Sequence, residues 1–140
     1  PDADHRLQLT PRSPTADLDA RPRQEGPATM AVVRASHVYK VFGRNGREVV
    51  ERLEAGSSRD ELRRLGTAAV IDASFEVEKG ESFVVMGLSG SGKSTLIRMI
   101  NGLWAPTSGT VEVAGEDISH MPAARLRKLR AENIAMVFQH

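Results

Sequence analysis

The stretch Gly87–Thr95, GLSGSGKST, restricts this chain more than any other. It fits the pattern G-x-x-x-x-G-K-[ST], with Gly87, Gly92, Lys93 and Ser94 in the four fixed places and Leu88, Ser89, Gly90 and Ser91 between the glycines. A loop that wraps a polyphosphate must turn its backbone N–H groups inward, and bulky side chains would obstruct that approach. Gly87, Gly90 and Gly92 remove the obstruction and admit backbone angles closed to other residues. Lys93 brings a compact positive charge suited to the β- and γ-phosphates, and the Ser94 hydroxyl is suited to Mg²⁺. The apolar run Phe83–Met86 before the loop predicts a buried parallel strand. After it, Leu96, Ile97, Met99 and Ile100 fall on one side of a predicted helix, whose N-terminal dipole would point at the same anion. Strand, loop, helix is the setting this motif requires.

Composition sets outer limits. A chain of 140 residues, 40% hydrophobic and 26% charged, suits one domain. A formal net charge of +1 gives no bulk electrostatic case for nucleic acid, so no nucleic-acid partner is expected. With no cysteine there is neither a disulfide framework nor a thiolate metal site. The apolar runs are far too short to span a membrane, so membrane association would run through a partner. His5, His37, His120 and His140 show no metal-ligand spacing and read as scattered loop or surface residues.

Residues 1–29 differ from the rest. They hold Pro1, Pro11, Pro14, Pro22 and Pro27 of the seven prolines, with few large apolar side chains. Such a segment buries too little surface to offset its ordering entropy, and it lacks the apolar centre of a signal peptide. Met30 is the first methionine. Residues 1–29 therefore read as upstream or non-native sequence, with a genuine disordered tail as the alternative.

Residues 31–42, AVVRASHVYKVF, read as a strand. Its Tyr39 and Phe42 suit either stacking on a flat base or packing in the core, and sequence alone favours packing. Residues 43–67 form an insertion with two expected short helices. One carries Val49, Val50 and Leu53 and ends at Gly56; the other opens on a Ser58/Glu61 capping box before Leu62 and Leu65. Val70–Val77 reads as a strand that turns at Glu78–Gly80 into Phe83–Met86. Asn101 and Gly102 suit the end of the helix after the loop, Thr110–Val113 alternates, and Pro122 suits the first turn of a helix to about Arg130. That helix has Leu126 and Leu129 inward and a basic, solvated outer face of Arg125, Arg127, Lys128 and Arg130. Ile134–Phe138, IAMVF, is expected to be a final strand, followed by Gln139 and His140.

Taken together, Val32–His140 resembles the first half of an ATP-binding cassette (ABC) transporter ATPase. VMGLSGSGKSTLIRMINGL is similar to that family's Walker A loop with its helix, TSGTVEVAGEDI to the hairpin that follows, and IAMVFQ to the strand that ends in the Q-loop glutamine. The insertion after VYKVFG, the wording GLSGSGKST and the ending IAMVFQ narrow the resemblance to importers of quaternary amines such as glycine betaine and proline-type osmolytes.

This resemblance implies an α/β fold of the P-loop NTPase, ABC ATPase type. It would be incomplete: N-terminal antiparallel strands, then the P-loop strand and helix, ending at the Q-loop. Residues 30–140 would be the N-terminal half of a nucleotide-binding domain, with the insertion at 43–67. It also implies ATP and Mg²⁺ as cofactors, with Gly87–Thr95 on the phosphates and Ser94 and Gln139 on the metal. Gln139 would take the catalytic role of sensing the attacking water, and Phe42 would stack on adenine, reversing the sequence-only preference for that residue. The implied partners are a transmembrane permease, a second copy of the ATPase subunit and, indirectly, a substrate-binding protein, at the cytoplasmic face of the membrane.

The family's LSGGQ signature, Walker B carboxylates and switch histidine find no match, which leaves the sequence resembling a fragment that binds nucleotide weakly and does not hydrolyse it. Two alternatives stay open within the family: an importer of another small solute such as an amino acid, or a non-transport ABC ATPase. A different P-loop class, a kinase or GTPase, is disfavoured by Gln139 after the IAMVF run.

Overall fold

A computed structural model describes residues 8–12 and 31–137. Its elements in chain order are β1 (Gln8–Arg12), β2 (Ala31–Phe42), α1 (Gly46–Glu54), β3 (Thr67–Glu78), β4 (Ser82–Met86), α2 (Lys93–Ile100), β5 (Ser108–Val113), β6 (Glu116–Asp117) and α3 (Ala123–Asn133). They build an α/β fold with an antiparallel sheet in the order β3-β2-β5-β6 and a two-stranded pair, β1-β4.

Strand β2 is central because both of its neighbours pair with it, β3 along nearly its whole length and β5 along much of it. Its side chains alternate between two faces, as a strand's period of two requires, one covered along the strand and the other only around Tyr39–Val41. Val38 enters the main core with Val70, Val111 and Val113 of the sheet, Leu96 and Met99 of α2, and Leu129 of α3. Tyr39 and Val41 face the other way, into a smaller cluster with Ala68, Val49 and Val50 of α1, and Leu62. The insertion therefore closes the second face of β2 and β3 at the end that holds Tyr39, Val41 and Ala68. Tyr39 is a core residue there, and burial raises the pKa of its hydroxyl.

Bulges shift the phase of this alternation. Lys40 pairs with Val70 and Val41 with Ala68, so Ala69 is an extra residue on β3. That one residue sends Val70 to the main core and Ala68 to the smaller one, although both have even numbers. A second bulge on β2 lies between Ser36 and Tyr39, where His37 has a φ of 47°. Gly109 of β5 lies so close to it that a Cβ would collide with the His37 carbonyl oxygen.

Both α1 and α2 stop on the same chain geometry. Gly56 and Gly102, with left-handed φ of 96° and 63°, donate their N–H groups to Leu53 and Met99. The following residues, Ser57 and Leu103, donate to Arg52 and Arg98. This pattern satisfies the last carbonyls of each helix.

Three expectations are corrected. The Ser58/Glu61 capping box forms, with Ser58 N–H donating to the Glu61 carboxylate at 3.0 Å, yet only turns follow it. The few residues before Gly66 are too short a stretch to sustain a helix, and burial of Leu62 holds the segment instead. Ile134–Val137 forms no ladder among the described residues, and Val137 is 96% exposed. An apolar run becomes a strand only where a partner edge is in reach. Strand β4, expected to be a buried parallel strand, is paired antiparallel with β1 and is half-buried at its centre. Gln8–Arg12, inside the segment read as upstream or non-native sequence with a disordered tail as the alternative, is a strand. Pairing along an exposed β4 edge is a backbone interaction and needs no apolar side chains, so composition gave no sign of it. The other residues of 1–29 lie outside the described residues, as do Phe138, Gln139 and His140.

Candidate nucleotide-binding site

The loop between β4 and α2 adopts a conformation that its glycines alone permit. Gly87, Gly90 and Gly92 have φ of 154°, 78° and 94°. Gly90 has open space around it, so only its backbone angle demands glycine. Gly92 is constrained twice. A Cβ there would stand 3.1 Å from the carbonyl carbon of Ala69 and inside van der Waals contact of its oxygen. Ala69 is the bulged residue of β3. The bulge that rephases the core thus brings a carbonyl against the loop, and only a glycine can pass it.

Lys93 crosses back over the loop from the first position of α2. Its Nζ donates to the carbonyl oxygens of Gly87 and Leu88, both at 2.7 Å, and lies 3.4 Å from the Ser91 hydroxyl. Ser91 is buried, and its N–H closes a turn on the Leu88 carbonyl at 3.2 Å. A cation held by neutral carbonyls has no charged partner in these contacts, so an anion entering the loop would meet an uncompensated ammonium.

The helix end beside it is equally open. Gly92 caps α2 without a side-chain hydrogen bond, and the first turn carries no acidic residue. Its leading N–H groups therefore remain available to an anion. Ser94 is exposed on this first turn and Thr95 half-buried next to it. An exposed hydroxyl beside a glycine-rich loop and an uncapped helix start fits a hard cation that also touches phosphate oxygens. Among the described residues no three His, Asp or Glu side chains converge on a metal position, so carboxylates and imidazoles supply no competing metal site there.

Of the residues singled out from sequence, Gly87–Thr95 come together in one loop and helix start. Phe42 lies at the far end of β2, paired with Thr67 of β3, and is 39% exposed. Two residues along β3 from Thr67 stands the bulged Ala69, whose carbonyl lies against Gly92, so Phe42 and the loop share one end of the sheet. Nothing in the sequence marks Trp104, because an isolated aromatic in a loop gives no signal. Its ring meets Phe42 edge to face, with centroids 5.3 Å apart and planes at 81°.

Comparison with known proteins assigns the family. The family model described as ABC transporter matches residues 70–140. The chain belongs to the ABC transporter family.

Within this family the chain is similar to the glycine betaine transport ATP-binding protein OpuAA of Bacillus subtilis, at 43% identity over 109 residues. That match covers 76% of this chain and 26% of the relative. The glycine betaine/proline betaine transport system ATP-binding protein ProV of Escherichia coli is 46% identical over 105 residues, covering 74% of this chain and 26% of the relative. The chain thus spans about a quarter of the length of the curated relatives it matches. Among solved structures it is similar to the ATP-binding cassette MJ0796, a dimer in a post-hydrolysis state bound to ADP and Pi. The TM-score is 0.51 at 25% identity, over 70% of this chain and 34% of that one. The ABC ATPase fold expected from sequence is therefore the fold found, present in part.

Proposed function

We propose that these residues belong to the ATP-binding subunit of an ABC importer that couples ATP hydrolysis to uptake of glycine betaine/proline-type osmolytes. The observation that carries the nucleotide reading is the loop itself. Lys93 is held by neutral loop groups, the Gly87 and Leu88 carbonyls and the Ser91 hydroxyl, Gly92 is wedged under Ala69, and the start of α2 has no side-chain cap. The osmolyte reading rests on similarity to OpuAA and ProV, whose matches extend across the insertion.

In this reading Gly87–Thr95 bind the triphosphate. Backbone N–H groups of the loop and of α2 donate to phosphate oxygens, and Lys93 exchanges its loop carbonyls for the β/γ-phosphates. Ser94 would hold Mg²⁺, which would supply neutralisation of the phosphate charge. Phe42 stacks on the adenine ring. Gln139, outside the described residues, completes the metal site and senses the attacking water.

Phosphoryl transfer needs, beyond positioning, a group that orients or polarises water. The loop supplies positioning and charge. The loop brings no carboxylate to polarise water, so the 140 residues by themselves would bind nucleotide weakly and turn over negligibly. The subunit would act as a dimer with a transmembrane permease, peripheral at the cytoplasmic face of the membrane, with a substrate-binding protein delivering solute. Among the described residues no helix is long and apolar enough to cross a membrane.

The test is reconstitution of the longest natural chain with its permease in vesicles. ATP-dependent uptake of labelled glycine betaine, lost in Lys93→Ala, supports the reading. Uptake of an amino acid instead, with glycine betaine excluded, rejects the osmolyte assignment.

A further inference from the structure

A tryptophan beside Phe42 has no place in the reading above. We propose that Trp104 is a positioning residue that fixes the Phe42 ring for stacking on the nucleotide base. This rests on the reading of Phe42 as the base-stacking aromatic.

The contacts form a chain. Trp104 meets Phe42 at 5.3 Å in the edge-to-face arrangement that aromatic quadrupoles favour. Arg98 lies over the indole, its guanidinium carbon 4.8 Å from the ring centroid. The Trp104 N–H also donates to the Arg98 carbonyl at 3.2 Å, which ties the backbone of Trp104 to the end of α2. On Phe42 itself, the Lys40 ammonium stands 5.5 Å from the ring centroid and donates to the Ala105 carbonyl at 2.6 Å. Burial lowers the Lys40 pKa, in keeping with an ammonium drawn in from water. Phe42 nonetheless stays 39% exposed. One cation and one indole thus restrict the ring while leaving surface for a flat partner.

Helix α2 links this cluster to the phosphate loop. Lys93 opens the helix and Arg98 lies in its last turn. Five residues at about 1.5 Å rise separate them by about 7.5 Å along the axis. The same rigid element therefore carries the lysine meant for the phosphates and the arginine that backs Trp104. A flexible Phe42 would lose rotational freedom on stacking, and that loss would weaken base binding; a held ring avoids it.

Calorimetric titration of the longest natural chain with magnesium ATP and with magnesium tripolyphosphate, which has no base, separates the two ends of the ligand. Trp104→Leu is expected to weaken ATP by about three- to tenfold, the range of one aromatic pair, and to leave tripolyphosphate unchanged. Trp104→Phe, which keeps an aromatic edge or face, is expected to restore ATP to within about twofold. Phe42→Ala is expected to weaken ATP at least as much as Trp104→Leu, again without affecting tripolyphosphate. If Phe42→Ala weakens ATP and Trp104→Leu does not, the role of Trp104 is wrong and the reading of Phe42 stands. If Phe42→Ala leaves ATP affinity unchanged, the reading of Phe42 falls and the inference with it. If Trp104→Leu weakens both ligands equally, Trp104 only supports the fold and the inference is overturned.

Discussion

Replacing Gly92 by alanine should destabilise the chain well beyond what its backbone angle alone requires. At φ +94° an L-residue sits in the left-handed region, a cost of about 1–2 kcal/mol. The new Cβ also meets backbone it cannot displace. It stands 3.1 Å from the Ala69 carbonyl carbon, overlaps the oxygen, and lies 3.3 Å from a Val70 methyl. Forced overpacking of this kind adds about 1–3 kcal/mol. The total is about 2–5 kcal/mol, a large part of the stability of a small domain. Gly90 is the internal control. Its φ of +78° also disfavours alanine, but nothing lies within 4 Å of its Cβ position, so only the conformational cost of about 1–2 kcal/mol applies. Urea denaturation of both variants without nucleotide, followed by fluorescence of Trp104, the sole tryptophan of this chain, measures the gap. With a slope of about 1–3 kcal/mol per molar urea, the Gly92→Ala midpoint should fall below that of Gly90→Ala by about 1 M. Midpoints that coincide would refute the close approach of Ala69 to the loop.

Other consequences are testable alongside it. Ser119→Ala should cost about 1–3 kcal/mol, because the buried Ser119 Oγ accepts from the Val111 N–H at 2.8 Å and the variant leaves that donor unpaired. The Ser119 hydroxyl and N–H also hold the Asp117 carboxyl below its ordinary pKa. A depressed acid stabilises the fold above its unfolded pKa of about 3.9, and the contribution fades as pH falls through the lower folded value. An acid titration of stability should show this loss in the parent and a smaller one in Ser119→Ala. Leu62→Ala should cost about 2–5 kcal/mol in thermal or urea melts, since Leu62 is buried in the cluster closed by the insertion. Near-neutral behaviour would show the insertion to be a surface excursion. Lys93→Ala should weaken magnesium ATP by about 10- to 100-fold in a titration, the loss of a charge-assisted contact.

Where local chemistry decided the conformation, the sequence was enough to read it. The glycines and lysine of Gly87–Thr95, the strand of residues 31–42, and the Gly56 and Gly102 helix ends are of this kind. What escaped depends on neighbours remote in sequence. Ala69 carries no mark of a bulge, yet its carbonyl makes Gly92 obligatory. The Ile134–Val137 run has strand composition and finds no described partner. Gln8–Arg12 has none of that composition and pairs with β4 through its backbone. Trp104 acquires meaning only once folding sets it against Phe42 and Arg98. The Ser58/Glu61 box forms as expected, but the helix expected to follow it does not, because a cap does not supply the length a helix needs.

The claim beneath all of this is that the amides of the Gly87–Thr95 loop and the Lys93 ammonium receive a triphosphate. Equilibrium titration of the chain with magnesium ATP, in parallel with Lys93→Ala, addresses it directly. Saturable uptake at one site that collapses in the variant is the predicted result. No uptake by the longest natural chain, or uptake indifferent to Lys93, would contradict it.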